Sequence, residues 1–273
     1  LLISEHKESI VPFLKWAGGK RWLVDRYAHY LDVEYQRFIE PFLGSGAVFF
    51  KLMPSSSILC DKNIQLIETY ASIRDDWEQV ERHLKDHHVK HSKEHYYQTR
   101  AKKFQSPYAR AAQFIYLNRT CWNGLYRVNL SGSFNVPIGT KNNVIMPTDD
   151  FSYVSKLLSA TELLAGDFEL AISRAGIGDL VFVDPPYTVK HNYNGFVKYN
   201  ESIFSWDDQL RLRDCVVAAT SRGAKVIVTN ACHDSIKDIY KGVGDIVTLS
   251  RSSVIGGTGA VRGKYEEVLI KCF

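Results

Sequence analysis

Residues 179–187 read DLVFVDPPY, and this stretch decides the fold. Leu180 to Val183 is a short unbroken apolar run. Such runs mark strands buried on both faces, which belong to parallel sheets covered by helices. Asp184-Pro185-Pro186-Tyr187 follows directly. The polar turn therefore falls at the strand's carboxyl end, where open α/β sheets hold their ligands. The two prolines set two consecutive φ angles and remove two amide donors, leaving a rigid turn rich in carbonyl and carboxylate acceptors. Acceptors without donors suit an amine, and the ring of Tyr187 offers a flat face to a planar base. The same tetrapeptide also fits a strand that ends in a Pro-Pro turn with a surface tyrosine, so its context must decide.

Outward from this strand, strand and helix signals alternate. Upstream, Tyr35 to Pro41 reads as a strand, Gly46 to Met53 as a helix start, Ser57 to Asp61 as a strand and Ile64 to Arg74 as an amphipathic helix. Downstream, Trp206 to Ser221 reads as a helix and Ala224 to Thr229 as a strand, while DIVTLSR (245–251) and YEEVLIKCF (265–273) read as a final strand pair. Between these halves the pattern changes. From about Trp77 to Tyr116 the residues are polar, basic and helix-prone. The following NRTCWNGLYRVNLSGSFNVPIG (118–139) suggests a hairpin, with the turn Leu130–Ser133 separating YRVN from FNVP. The expected organisation is one α/β domain, residues 1–68 and 146–273, interrupted by an insert over 69–145.

Composition supports a globular protein. The 273 residues, 45% hydrophobic, suffice for a full core. No apolar run approaches the roughly 20 residues a membrane span needs, and LLISEHKESIVPF carries charges where a signal peptide would be apolar, so a cytoplasmic protein is expected. Five scattered cysteines, none in a C-x-x-C pair, indicate neither a disulfide framework nor a metal site. Net charge is +4, but Arg82 to Lys141 holds eleven Lys/Arg against two acids, leaving 23 bases and 28 acids elsewhere. That clustering suits a polyanionic partner, although a solvated basic helix is the commoner cause of a charge run.

Two further motifs supply the context. Glu40-Pro41-Phe42-Leu43-Gly44-Ser45-Gly46-Ala47-Val48-Phe49 runs a strand through a glycine turn into a helix. Gly44 and Gly46 let the backbone turn tightly and approach a ligand, with helix amides facing it. Phe49 stands where a dinucleotide fingerprint needs glycine or alanine, which weakens a pyrophosphate reading. Asp61, closing the next strand, can accept hydrogen bonds from two ribose hydroxyls or can cap a helix. Phe13-Leu14-Lys15-Trp16-Ala17-Gly18-Gly19-Lys20 combines a Gly-Gly turn with two lysines and a tryptophan. It fits either a cofactor contact or an arm covering the sheet.

Together, and in this order, these motifs resemble the DNA adenine methyltransferase (Dam) family, the alpha-ordered class of amino-methyltransferases. The resemblance covers nearly the whole chain and includes the segment Ala165-Gly166-Asp167-Phe168. It implies a Rossmann-like S-adenosylmethionine-dependent methyltransferase fold, a seven-stranded mixed sheet with an inserted, mainly helical DNA-recognition domain carrying a β-hairpin. It implies N6 methylation of an adenine flipped out of double-stranded DNA, usually within GATC, by a monomer that needs no metal and works on bacterial or phage DNA at the nucleoid. Carried over by residue, Trp16, Lys20, Phe42, Asp61, Asp167 and Asp184 line the S-adenosylmethionine site, beside Gly44 and Gly46. Asp184, Pro185 and Tyr187 hold the base. Lys15, Asn123, Leu125, Arg127 and Pro137 touch DNA bases, Trp122 is the aromatic wedge, and Arg119 joins the DNA-contacting set. Thr120, Cys121 and Trp122 depart from the family's pattern, which often has Tyr at the last, so flank or site preference can differ. Roles in DNA replication or restriction-modification both fit such an enzyme. Competing readings are methylation of cytosine N4, RNA adenine or a protein amide, or a DNA-binding regulator that has lost catalysis. The aspartate of DPPY and the basic insert weigh against the first group, and the intact motifs weigh against the second.

Overall fold

A computed structural model describes residues 10–124, 126–128, 134–189, 204–252 and 264–273. Its strands are β1 (Arg37–Glu40), β2 (Ser57–Asp61), β3 (Thr161–Ala165), β4 (Asp179–Val183), β5 (Lys225–Ala231), β6 (Asp245–Ser252) and β7 (Lys264–Cys272). They form one seven-stranded sheet in the order β3-β2-β1-β4-β5-β7-β6. The sheet is mixed. β4 lies parallel to β1 and β5, whereas β7 runs antiparallel to both β5 and β6. The expected α/β fold and the final strand pair are both present. No helix among the described residues is long and apolar enough to cross a membrane.

The chain divides into two compact units, one of Leu1–Leu31, Leu43–Ser57 and Asp61–Gly166, the other of Asp32–Phe42, Ile58–Cys60 and Asp167–Phe273. In the second unit β4 buries all five residues, as its apolar run requires. Its one charged residue, Asp179, is tolerated there because Arg37, opposite it on β1, donates two hydrogen bonds of 2.9 and 2.8 Å to the carboxylate. After the short helix α7 (Glu169–Ile172), helix α8 (Trp206–Ser221) starts at a capping box in which Ser205 and Asp208 satisfy each other's backbone N–H. Because the strand order reverses between β1 and β4, their neighbouring carboxyl ends form a topological switch point. Phe42 follows one end and Asp184 the other.

The first unit is mainly helical: α1 (Arg21–Arg26), α2 (Ala47–Leu52), α3 (Ile64–Lys90), α4 (Lys93–Ala101), α5 (Pro107–Thr120) and α6 (Phe151–Leu158). Helix α3 runs past the expected end at Arg74, through a break at Asp76 with φ −159° and ψ 78°. Asp76 repairs that break. Its carboxylate accepts the Gln79 backbone N–H at 3.1 Å and the Gln79 side-chain amide at 2.7 Å, acting as an N-cap inside the helix. Of the expected hairpin, Val128 pairs antiparallel with Phe134, while the turn Leu130–Ser133 lies outside the described residues.

One expectation is corrected here. Arg119 does not face DNA: it is 1% exposed on α5 and its guanidinium is consumed inside the unit. It donates to the Phe13 carbonyl at 3.1 and 2.9 Å, to the Val144 carbonyl at 2.7 Å and to both Asp149 oxygens at 2.7 and 2.6 Å. This clasp joins the N-terminal arm, α5 and the segment leading to α6. Burying a guanidinium is tolerated because its donors are matched. Arg119→Ala strands the Asp149 carboxylate and should cost about 3–5 kcal/mol of stability. Urea unfolding measures this, and an unchanged midpoint would contradict the clasp.

Candidate active site

In the first unit the glycine turn is built by close packing. Gly44 and Gly46 have φ of +50° and +63°, in the left-handed region that favours glycine. A Cβ on Gly44 would lie 2.7 Å from Trp16 Cδ1, and one on Gly46 would lie 3.0 Å from the Tyr70 hydroxyl. Asp61 ties the turn to the next helix. Its Oδ2 accepts the Gly44 N–H at 3.0 Å and its Oδ1 accepts the Asn63 N–H at 2.9 Å. Burial pushes the Asp61 carboxyl up from its ordinary value, and these two amides pull it back. The helix cap of α3 is Asn63, which accepts from Leu66 N–H, so Asp61 is not the terminal cap. Each Asp61 oxygen keeps acceptor capacity beyond its amide. A glycine cradle beside a desolvated carboxylate fits an adenosyl ribose.

Trp16 stacks on Tyr126 with ring centroids 5.5 Å apart and planes 18° apart, and lies near Phe114 at 6.4 Å. Lys20 is buried and its Nζ donates to the Gly18 carbonyl at 2.7 Å. Lys15 exchanges backbone hydrogen bonds with the Asn118 side chain at 2.9 and 2.8 Å. Burial and the neighbouring Lys141 lower its ammonium to about 8. Trp122 is 54% exposed, and its backbone N–H donates to the Pro137 carbonyl at 2.9 Å. Asn123 is exposed and in the left-handed region at φ 56°, and the exposed Arg127 donates from Nε to Asn135 Oδ1 at 3.0 Å. Leu125 lies outside the described residues.

In the second unit the DPPY turn is clamped from three sides. Asp184 Oδ1 accepts the Thr229 hydroxyl of β5 at 2.8 Å. The Tyr187 hydroxyl donates to Oε2 of Glu267, a buried carboxylate on β7, at 2.6 Å. The Pro186 carbonyl accepts from Gln209 Nε2 at 3.2 Å, and Gln209 Oε1 in turn accepts from Asn230 at 3.1 Å. No hydrogen bond among the described residues falls on the Pro185 carbonyl. Desolvation, with the Asp184 and Glu267 carboxylates alongside, pushes the Tyr187 phenol well above its ordinary value, so it stays a neutral donor. Asp167 is held by Arg211, whose two terminal nitrogens reach its two oxygens at 2.9 Å each. The Arg211 guanidinium also sits 4.3 Å over the Phe168 ring, and Phe168 stacks on Phe42 with centroids 5.4 Å apart.

Thr229, Gln209, Arg211 and Glu267 were not singled out from the sequence. Glu267 is one of two adjacent acids in the terminal strand, and the fold turns it, not the exposed Glu266, inward. Such a residue needs a buried partner.

Residues 16–254 match the family described as D12 class N6 adenine-specific DNA methyltransferase. This chain belongs to that family. It is 35% identical over 278 residues to the type II methyltransferase M1.LlaDCHI of Lactococcus lactis subsp. cremoris, covering 98% of each chain. It is 36% identical over 263 residues to the type II methyltransferase M.MjaIII of Methanocaldococcus jannaschii, covering 85% of this chain and 89% of the relative. The DNA adenine methylase of Escherichia coli K12 is 32% identical over 264 residues, covering 94% and 93%. As a D12 methyltransferase the protein uses S-adenosylmethionine and acts on adenine in DNA.

The glycine packing can be tested apart from turnover. Gly44→Ala should displace Trp16 and cost about 1–3 kcal/mol, read by denaturation and by near-ultraviolet dichroism of the tryptophan. Gly18→Ala, also at positive φ but with nothing within 4 Å of the added carbon, is the control for backbone strain alone. Equal effects at the two positions would remove the Trp16 contact from the explanation.

Proposed function

We propose that this D12 methyltransferase flips an adenine out of double-stranded DNA, within GATC, and methylates its N6, with Asp184, Pro185 and Tyr187 as the residues that handle the base. The observation that carries the reading is the clamped turn after β4, in which Thr229 fixes the Asp184 carboxylate while no hydrogen bond among the described residues falls on the Pro185 carbonyl. Trp16, Lys20, Phe42, Gly44, Gly46, Asp61, Asp167 and Asp184 are assigned to the cofactor on the grounds of family membership and of the cradle chemistry described for each unit. S-adenosylmethionine, when bound, supplies an electrophilic methyl group on sulfur.

An adenine amine is hidden within the duplex stack, and extruding the base costs a few kcal/mol. The exposed indole of Trp122 suits a wedge that fills the resulting gap. The Asp184 carboxylate and Pro185 carbonyl accept the two amine hydrogens. This draws the nitrogen lone pair out of conjugation with the ring and aims it for in-line attack. Tyr187, with its hydroxyl anchored on Glu267, presents a ring of set orientation for stacking. Positive charge that builds on the nitrogen is stabilised by Asp184, and the proton then leaves to water. The same reading has the enzyme act as a monomer at the nucleoid on bacterial or phage DNA, in keeping with its bacterial and phage relatives.

Asp184→Ala should abolish methyl transfer to duplex DNA while the unfolding transition stays cooperative; undiminished turnover would sink the assignment. Sequencing of DNA from cells expressing the protein, read for N6-methyladenine, tests the GATC context directly. Arg127 can donate two hydrogen bonds to guanine O6 and N7. Arg127→Ala should relax discrimination at one base position by about 1–3 kcal/mol. A uniform loss on every sequence would instead mark Arg127 as a phosphate contact.

A further inference from the structure

A second polar site lies within the helical unit, independent of the methyl-transfer residues. Helices α3, α4 and α5 and the loop after α4 line a half-open cavity of about 190 Å³. Its titratable and charged lining is His83, Asp86, His87 and Lys90 from α3, His95 from α4 and Lys102 from the loop, while α5 contributes Ala109. One carboxylate thus faces two ammonium groups and three imidazoles. Neither Lys90 nor Lys102 ion-pairs with a carboxylate among the described residues, and the Lys102 ammonium rests 4.8 Å over the Phe104 ring.

Two of the polar side chains are deeply buried. His87 is 7% exposed and Thr99 is 3% exposed. The His87 ring stacks on Tyr116, with centroids 4.7 Å apart and planes 17° apart, and its Nδ1 lies 3.0 Å from His95 Nε2. The Thr99 hydroxyl reaches that same His95 nitrogen at 3.3 Å. No hydrogen bond among the described residues falls on His87 Nε2, and His87 lines the cavity. Two neutral rings carry two N–H groups among four nitrogens, and one of those N–H groups occupies the bridge. One added proton turns both outer nitrogens, His87 Nε2 and His95 Nδ1, into donors. Burial, and then the charge of His95, lower His87 to about 4, while burial, Lys90 and His91 lower His95, so the pair is neutral in the free protein at neutral pH.

We propose that this cavity binds a tetrahedral oxyanion, a phosphate group either free or carried by a nucleic-acid backbone, and that its capture adds one proton from solvent to the His87–His95 pair. The anion compensates the positive charge that otherwise keeps the proton away. The histidine pair therefore rests neutral in the free cavity and carries the extra charge in the occupied one.

Sulfate is the probe, because it remains a dianion across the range tested and any pH dependence then belongs to the protein. Histidine-selective NMR and calorimetry on the full chain, at constant ionic strength in chloride, should show the His87 and His95 rings moving to the protonated pattern as sulfate is added. Calorimetry in two buffers of different ionisation enthalpy should count one proton taken up. Between about pH 8 and about pH 6 the association constant should rise by up to about tenfold per pH unit. His95→Gln keeps a polar side chain and should abolish the proton uptake and the pH slope. Lys102→Met should weaken sulfate similarly at every pH. In a second arm a short duplex replaces sulfate: a ring shift with the duplex, lost in Lys102→Met, assigns the backbone phosphate, and a shift with sulfate alone assigns a free anion. The proposal is overturned if neither probe moves His87 and His95, if chloride moves them equally, or if His95→Gln retains the full pH slope.

Discussion

Burial of β4 on both faces is the constraint from which the remaining architecture follows. Five consecutive buried residues pair with parallel neighbours on either side, β1 and β5, and leave no polar outlet along the strand. The one acid among them survives through its bond to Arg37 in register across β1. The first point at which this strand can present polar chemistry is the turn after Val183. There the two prolines remove two backbone donors, so what the turn offers is mainly acceptors.

A turn of this kind is useful only if it is stiff, and the stiffness comes from elements far away in sequence. Thr229 on β5, Glu267 on β7 and Gln209 on α8 each take one group of the turn. Every one of these bonds removes a way for an acceptor to swing away from its partner. The Pro185 carbonyl stands out against this background because its neighbour, the Pro186 carbonyl, is occupied. The same logic governs Asp167, whose two oxygens are both held by a guanidinium that is itself braced on Phe168. In the helical unit Asp61 does the equivalent work for the glycine turn by accepting two amides.

Much of this was legible in the sequence, and the omissions have physical causes. Strands β2 and β4 and helix α8 fall on the residues expected, because apolar runs bounded by polar turns mark their own ends. Helix α3 was expected to stop at Arg74, and the chain instead uses Asp76 to begin the helix again. Arg119 was misjudged because a cluster of positive charge in sequence says nothing about which member turns inward. Its inward turn depends on Asp149 and on the carbonyls of Phe13 and Val144, none of them local. Residues that brace the turn after β4 were missed for the same reason, since their partners meet only through the sheet.

The interior cap at Asp76 has a consequence for how such a protein changes over time. The distal half of α3 therefore has an N-terminus of its own, capped by the Asp76 side chain. Residues gained or lost at that joint would turn the distal half relative to the proximal one, to which α5 is also tied through Arg110 and Glu68.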